Sequence, residues 1–112
     1  MTDFEINLAV FEALHDGSPD CKEGSGGSMV IVSFEGDVVD GNAVEIEVER
    51  GVFNPCNNPV DAWPIIVSNR IGLNFVNGAW RAQSMVRGYD ECVHENPLRA
   101  VAIVYLMMQE AK

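Results

Sequence analysis

The chain of 112 residues has the size of a single domain and can bury one hydrophobic core. Its 47% hydrophobic and 21% charged residues are typical of a folded globular protein and exclude a disordered chain. Seven basic and seventeen acidic residues give a net charge of −10, so we expect no direct binding to nucleic acid. The same charge would favour a basic partner.

Targeting signals are also not predicted. The N-terminal sequence MTDFE is acidic, whereas a secretory signal begins with basic residues. The longest apolar run, residues 100–108, is well short of the roughly 20 residues that a membrane-spanning helix needs. We therefore expect a cytoplasmic protein with no membrane contact, whose three widely spaced cysteines are free thiols.

The N-terminal segment is predicted to form a helix. Thr2 and Glu5 have the spacing of a capping box, and the apolar periodicity continues to about Leu14, with Asn7 on the solvent side. Residues 16–28 are rich in Gly, Ser, Asp and Pro, which predicts a flexible surface loop. Its GSGGS sequence lacks the strand and the Lys of a phosphate-binding loop, so no nucleotide site is predicted.

Two alternating segments, residues 29–35 and 43–49, predict a first β-hairpin. The turn is expected at Asp40-Gly41-Asn42, and Gly36 indicates a bulge that would extend the first strand to Val39. We expect one face of this hairpin to be aliphatic. The other face would carry the acidic side chains Glu45, Glu47 and Glu49.

A second hairpin is predicted around Asn77-Gly78, the preferred sequence of a type I′ turn. The expected cross-strand pairs are Val76 with Ala79, Phe75 with Trp80 and Leu73 with Ala82. We expect the face with Phe75 and Trp80 to be core and the opposite face to be in solvent.

A doubled phrase, NPVDA from Asn58 and NPLRA from Asn96, predicts two helix starts. In each copy Asn can cap the helix, and Pro suits its first position. Pro64 should kink the first helix or end it early. The second helix is apolar nearly all round, so it should lie at the centre of the core or also form an interface, which leaves a homodimer open. The repeat reflects either a duplication or one capping solution used twice.

These elements predict an α+β fold in one domain, residues 1–112. An N-terminal helix is followed by two β-hairpin-helix units, and the antiparallel sheet packs against the helices.

The segment FNPCNNPVDAWPIIVSNRI from Phe53 resembles the NinX-type family of lambdoid phages and prophages, as do NPLRA from Asn96 and VYLMMQ from Val104. The opening DFEIN also fits, so the resemblance covers the chain apart from residues 16–52, which we expect to be particular to this branch. The resemblance implies a phage or prophage accessory protein in the cytoplasm of the bacterial host. It implies no activity, cofactor or catalytic residue, and the likeness to small α-β-α phage domains concerns the fold alone.

Candidate binding residues lie in two polar loops that are expected to be exposed, because binding groups often lie on loops held by a rigid scaffold. Trp63 is added as an aromatic residue without a predicted packing role. The acidic strand face is either a binding surface or a solvated face that prevents edge pairing. The candidates are Asn54, Cys56, Asn57, Trp63, Tyr89, Asp90, Glu45, Glu47 and Glu49.

Metal or cysteine chemistry is a weaker alternative. Cys92 and His94, with Cys56, could supply three ligands, but structural zinc sites usually have four ligands in short-spaced pairs. A thiol nucleophile would need His94 or His15 as a base, and the sequence places neither beside a cysteine.

We predict no metal, no cofactor and no catalytic residue, and favour a non-enzymatic protein that binds a host or phage protein. The alternatives are a small metal-dependent or cysteine-dependent enzyme, and an acidic inhibitor or DNA mimic that targets a nucleic-acid enzyme.

Overall fold

The computed structural model describes residues 1–86 and 90–110. Its helices are α1 (Asp3–His15), α2 (Pro59–Asn69) and α3 (Pro97–Glu110), and its strands are β1 (Cys21–Glu23), β2 (Met29–Val39), β3 (Asn42–Phe53), β4 (Ile71–Val76), β5 (Ala79–Ser84) and β6 (Glu91–His94). Two antiparallel sheets have the orders β1-β2-β3 and β4-β5-β6, and each precedes a helix. The predicted α+β fold with two hairpin-helix units is confirmed, with one strand added to each hairpin.

The helix starts follow the predicted capping signals. In α1 the Thr2 hydroxyl accepts a hydrogen bond from the Glu5 N–H at 3.1 Å, and the Glu5 carboxylate accepts one from the Thr2 N–H at 2.8 Å. Asn58 accepts from the Val60 N–H at 3.0 Å, and Asn96 accepts from the Leu98 N–H at 3.0 Å. The doubled Asn-Pro phrase therefore marks two capped helices, α2 and α3.

Helix α2 continues past Pro64 to Asn69, so of the two expected effects of Pro64, a kink or an early end, the early end is wrong. Its end is set by Arg70, whose left-handed backbone conformation (φ 52°) lets its N–H donate to the Ile66 carbonyl. Proline removes one internal hydrogen bond, but the packing of Ala62 and Ile65 in the core holds both sides of the helix in place.

The core is centred on α3. Helices α1 and α2 pack against α3, which also covers the β4-β5-β6 sheet. Buried residues of α3 are Ala100, Val101, Ala102, Val104, Tyr105 and Met108. The prediction of a buried final helix is confirmed. No helix within residues 1–86 and 90–110 is long and apolar enough to cross a membrane.

The second hairpin has the predicted register, with Phe75 opposite Trp80 and Leu73 opposite Ala82. Its predicted core face is buried only in part. Ile71 and Ala82 belong to the core, but Phe75 is 61% exposed and packs edge to face on Trp80 at 5.3 Å. The helices cover the base of this hairpin, whereas its far end extends beyond them.

Residues 16–28 contain regular structure that the sequence analysis did not expect. Strand β1 pairs with the start of β2, with Lys22 opposite Val30, and a short 3-10 turn follows at Ser25–Gly27. Composition did not reveal this strand because its stability comes from backbone hydrogen bonds to β2 rather than from apolar side chains of its own.

Strands β2 and β3 extend beyond the core as a two-stranded ribbon. Strand β1 pairs only with Met29–Ile31 of β2, and every residue from 34 to 47 is exposed. The molecule measures 62 × 30 × 21 Å and has a radius of gyration of 17.1 Å, compared with about 13 Å for a compact chain of roughly this length. We refer to residues 33–49 as the arm.

The two faces of the arm differ from the prediction. Asp40 and Gly41 alone form the turn, both with positive φ, so Phe34 pairs with Glu47 and Glu35 pairs with Ile46. Because a change of one residue in register moves every side chain to the other face, Phe34 and Val38 of β2 lie on one face, and Val44 and Ile46 of β3 lie on the other. The prediction of a single aliphatic face is therefore wrong.

The bulge also lies elsewhere than predicted. Gly36 pairs regularly with Glu45, whereas the register shifts between Ile31 and Val32 and leaves Arg50 as an extra residue in β3. Below this bulge the register again pairs apolar residues with each other, with Met29 opposite Phe53. The bulge thus separates the base of the hairpin, where Met29 and Val30 are buried, from the arm.

We expect the body to fold without most of the arm. Replacing residues 34–47 with Asn-Gly would join the paired residues Ser33 and Val48 through a tight turn. Urea denaturation should show an unfolding free energy within about 1 kcal/mol of the original, because no arm residue belongs to the core cluster. A loss of several kcal/mol would contradict this independence.

Candidate functional site

The turn at residues 54–58, which was predicted to bind a partner, lies where the starts of all three described helices meet. Asn57 donates a hydrogen bond to the carboxylate of Asp3, the first residue of α1, at 3.0 Å. Asn96, the cap of α3, donates to the side-chain oxygen of Asn57 at 3.1 Å, and α2 begins two residues after Asn57. We name this group of side chains the polar junction; it comprises Asp3, Asn7, Asn54, Asn57, Asn96 and Arg99.

Asn7 is the buried centre of the polar junction. Its amide group donates to the Gly27 carbonyl at 2.9 Å and to the Asn54 side chain at 2.8 Å, and its oxygen accepts from the Cys56 N–H at 3.1 Å. The side chain is fully buried, so its predicted position on the solvent side of α1 is wrong. Asn7 joins three separate segments because a buried polar group must be hydrogen-bonded.

The predicted binding residues of this turn have structural contacts. Asn54 accepts from both Asn7 and Asn57, and its N–H donates to the Asp61 carboxylate at 2.9 Å. Cys56 is fully buried, and its carbonyl accepts from Asn96 at 2.8 Å, so the turn is less exposed than expected. Binding of a ligand by Asn54, Cys56 or Asn57 stays a prediction, whereas their contribution to the fold is direct.

The polar junction also contains an ion pair. Arg99 donates to the Asp3 carboxylate and to the Met1 carbonyl. The hydrogen bond from Asn57 and the guanidinium of Arg99 lower the pKa of Asp3, although partial burial opposes this shift. The carboxylate at the first turn of α1 also interacts favourably with the helix dipole.

The cysteine and histidine residues show no arrangement that would support metal or thiol chemistry. Burial raises the pKa of Cys56 to about 12 and also raises the pKa of Cys92, so both favour the protonated thiol. His94 accepts a hydrogen bond from the Asn96 N–H through Nδ1 at 2.9 Å. Within residues 1–86 and 90–110, no group of three His, Cys, Asp or Glu side chains could hold a metal ion.

The second predicted loop is only partly described. Tyr89 lies outside the described residues. Asp90 was expected to be exposed, but it is buried, and its carbonyl accepts from the Ser84 N–H at 2.9 Å. Its burial follows from strand β6, which begins at the next residue and was not predicted because it is only four residues long.

The arm places Glu45, Glu47 and Glu49 along one face, as predicted. Lys22 forms ion pairs with Glu47 at 2.7 Å and with Glu49 at 3.3 Å, whereas Glu45 forms no ion pair with any described residue. Within its sequence the arm has six carboxylates and no Lys or Arg; the acidic residues are Glu35, Asp37, Asp40, Glu45, Glu47 and Glu49. The arm is therefore strongly acidic, with six carboxylates among its 17 residues.

Large apolar side chains are exposed on both faces of the arm. Phe34 and Val38, which share the face of Glu45 and Glu47, are 50% and 69% exposed. On the other face Val39, Val44 and Ile46 are exposed. None of these five residues was predicted to be a binding residue, because the sequence pattern does not show whether a strand face is covered. Exposed apolar patches with polar surroundings often mark interaction sites.

A second exposed apolar surface lies on α2. Trp63 is 63% exposed, and Val60 and Val67 are exposed beside it at helical spacing. We name these three residues the α2 stripe. Of these three residues, only Trp63 was predicted to be a binding residue.

Two β-meander-helix units, a polar junction centred on the buried Asn7 and an acidic arm define an α+β protein. A profile of the protein family described as "Bacteriophage P22, NinX" matches residues 1–109. The chain belongs to this phage protein family. The match runs through residues 16–52, so the expectation that this segment is particular to one branch is wrong. No curated protein and no solved structure matches the chain.

Asn7 should be essential for stability. Asn7→Ala would leave the buried Cys56 N–H and the Gly27 carbonyl without their partner, and we expect a loss of about 2 to 4 kcal/mol. Asn74→Ala, an exposed control, should change the unfolding free energy by only about 0.5 kcal/mol. Urea denaturation measures both, and equal effects of the two variants would contradict the role of Asn7.

Asp3 should make stability depend on pH. Its pKa is lowered in the folded protein, so its contribution is fully present above its ordinary pKa of 3.8 and is lost as the pH falls through the lower folded value. The difference in unfolding free energy between the original protein and Asp3→Asn should therefore be largest near neutral pH and shrink in acid. A series of urea denaturation curves at different pH values measures this difference. A difference that is constant across the series would contradict the assignment.

Proposed function

We propose that this protein is a non-enzymatic phage accessory protein that acts by binding a host or phage protein through the arm. One observation carries the proposal: residues 34–47 project into solvent with large apolar side chains on both faces. A two-stranded ribbon of this kind is only marginally stable in water unless a third element packs on it. A partner protein that covers the arm would provide that packing.

The exposed residues offer enough apolar surface for a specific contact. Phe34, Val38, Val39, Val44 and Ile46 are all exposed. Burial of one such side chain contributes about 1.5 to 3 kcal/mol, and several together can offset the cost of association. The free edges of β2 and β3 in the arm also offer backbone hydrogen bonds to an extended segment of the partner.

The charge of the arm indicates a basic partner. Six carboxylates lie on the arm, and the nearest described cations, Lys22 and Arg50, lie at its base and pair with Glu47, Glu49 and Glu35. Glu45 and Asp37 form no ion pair with a described residue. A cationic surface with an apolar groove would complement this combination, and the charge would speed association at low salt.

The arm suits a contact with a basic protein better than it suits imitation of DNA, which was the alternative function. A mimic of a phosphate backbone needs repeated negative charges that are free to meet cations. Lys22 already neutralises part of the ladder, and Phe34 and Val38 lie among the carboxylates. We place the binding in the cytoplasm of the bacterial host, because the chain belongs to a phage family.

Affinity capture from host cytoplasm, before and after phage infection, would test this function. We expect the original protein to retain a basic protein that the variant lacking residues 34–47 does not retain. Glu45→Gln, Glu47→Gln and Glu49→Gln combined should weaken capture at least tenfold at low salt, and less at high salt because ions screen the contact.

A matched triple variant controls for total charge. Glu12→Gln, Glu95→Gln and Glu110→Gln remove the same number of charges from exposed positions outside the arm and should leave capture unchanged. Phe34→Ser with Val38→Ser, compared with Val44→Ser with Ile46→Ser, would identify the face in contact. Equal capture by the original protein and the arm-deleted variant would refute the proposal.

A further inference from the structure

The outer edge of β3 has no partner strand among the described residues, since the sheet order is β1-β2-β3. The Val32 N–H donates to the Asp20 carbonyl at 3.0 Å, on the side away from β3, so Val32 and its partner Glu49 do not exchange hydrogen bonds. Hydrogen-bonded and non-hydrogen-bonded pairs alternate along an antiparallel ladder. The backbone groups of Glu45 and Glu47 therefore point away from β2, toward the outer edge of β3.

The opposite edge of the arm, on β2, is less open. Its first outward N–H, that of Val32, already bonds to Asp20, and the Val38 N–H donates to the Asp37 carboxylate at 2.8 Å. These contacts occupy both ends of the β2 edge. The outward N–H groups of Glu45 and Glu47 on β3 have no acceptor among the described residues, so an added strand finds more unpaired backbone groups at β3.

The side chains of β3 alternate between acidic and aliphatic. Glu45 and Glu47 lie on one face of the arm, and Val44 and Ile46 lie on the other. A strand that adds beside β3 places its own residues directly opposite these side chains, alternately on the two faces. Opposite charges in such cross-strand pairs are favourable, whereas like charges are unfavourable. The edge of β3 therefore selects a segment in which basic and apolar residues alternate.

The protein itself shows that a lysine on a neighbouring strand can reach this acidic face. Lys22 of β1 forms ion pairs with Glu47 at 2.7 Å and with Glu49 at 3.3 Å across the intervening strand β2. Glu45, nearer the tip of the arm, forms no ion pair with a described residue. A basic residue on a strand directly beside β3 would be one strand spacing away, which is closer than the backbone of Lys22 is.

We propose, on the basis of the function inferred for the arm, that the partner contributes an extended segment to the outer edge of β3. In this segment Lys or Arg alternates with aliphatic residues. Contact along residues 43–49 would extend over about 20 Å, and a third strand would stabilise the two-stranded arm.

A second copy of the chain does not fit this edge. Pairing of two β3 edges would bring two rows of glutamates together. The chain also has no segment with the required alternation, because no two of its seven Lys and Arg residues are two positions apart. The segment therefore comes from a different, basic protein.

The peptide acetyl-KVKVKVK-amide, titrated into the full chain at low salt, tests this mode of binding. NMR-detected amide exchange should slow at least tenfold for Glu45 and Glu47, whereas Phe34 and Gly36, at the edge of β2, should not change. The same composition in the order acetyl-KKVVVKK-amide should bind at least tenfold more weakly.

Methylated peptides separate backbone pairing from charge attraction. Lysines opposite the glutamates direct their N–H groups toward β3, so N-methylation of the two central lysine amides should abolish the protection of Glu45 and Glu47. N-methylation of the valine amides, which point away from β3, should preserve it. Both peptides keep every charge. Equal effects of the two modifications would contradict pairing at this edge.

Proline variants test the edge from the side of the protein. Glu45→Pro removes an outward N–H without removing a hydrogen bond to β2, and it should weaken peptide binding at least tenfold beyond the effect of Glu45→Gln. Gly36→Pro, at the paired position on the β2 edge, should leave binding within about twofold of the original. Circular dichroism would verify that the variants fold.

Two results would overturn this mode of binding: no binding of the alternating peptide, or protection of Phe34 and Gly36 in place of Glu45 and Glu47. Neither result would alter the outcome of affinity capture with the variant lacking residues 34–47. That capture tests the function of the arm itself, so failure of the function and failure of the binding mode are distinguishable.

Discussion

The hydrogen bonds of Asn7 are the interaction on which the remainder of the structure depends. One buried amide joins α1 to the 3-10 turn before β2 and to the turn before α2. Through Asn57 and Asn96 the same network reaches the start of α3. These segments are far apart in sequence, and hydrogen bonds from one buried side chain to several of them allow few alternative arrangements. The polar junction thus fixes how the helices meet, whereas the apolar residues of α3 supply most of the burial.

This fixed body explains how the arm can project without distorting it. The bulge at Arg50 lies where β2 and β3 leave the core, and below it Met29 and Val30 of β2 are buried. Beyond it the two-residue turn at Asp40-Gly41 determines the register, which mixes carboxylates with apolar side chains on each face. A local turn therefore decides the chemistry of a surface that is distant from the core.

The arm and the α2 stripe, two of the exposed apolar surfaces in the described residues, differ in charge. The arm combines apolar residues with six carboxylates, which suits a basic protein. The α2 stripe bears no charged side chain and ends at Arg70, which forms no ion pair with a described residue. The cysteines and histidines contribute packing and hydrogen bonds to this arrangement.

Local signals in the sequence determined the three helix starts, the second hairpin with its register, the α+β class and the family. Each depends on residues that are neighbours in the chain, such as Thr2 with Glu5 or the Asn77-Gly78 turn. Only the tertiary structure decided that Asn7 is buried, that Phe34 and Phe75 are exposed, and that Asn54 and Asn57 hold the fold together. Alternating patterns show which residues share a strand face, but whether another element covers that face depends on contacts between distant segments. For the same reason the sequence could identify Trp63 as a candidate but could not reveal the stripe to which it belongs.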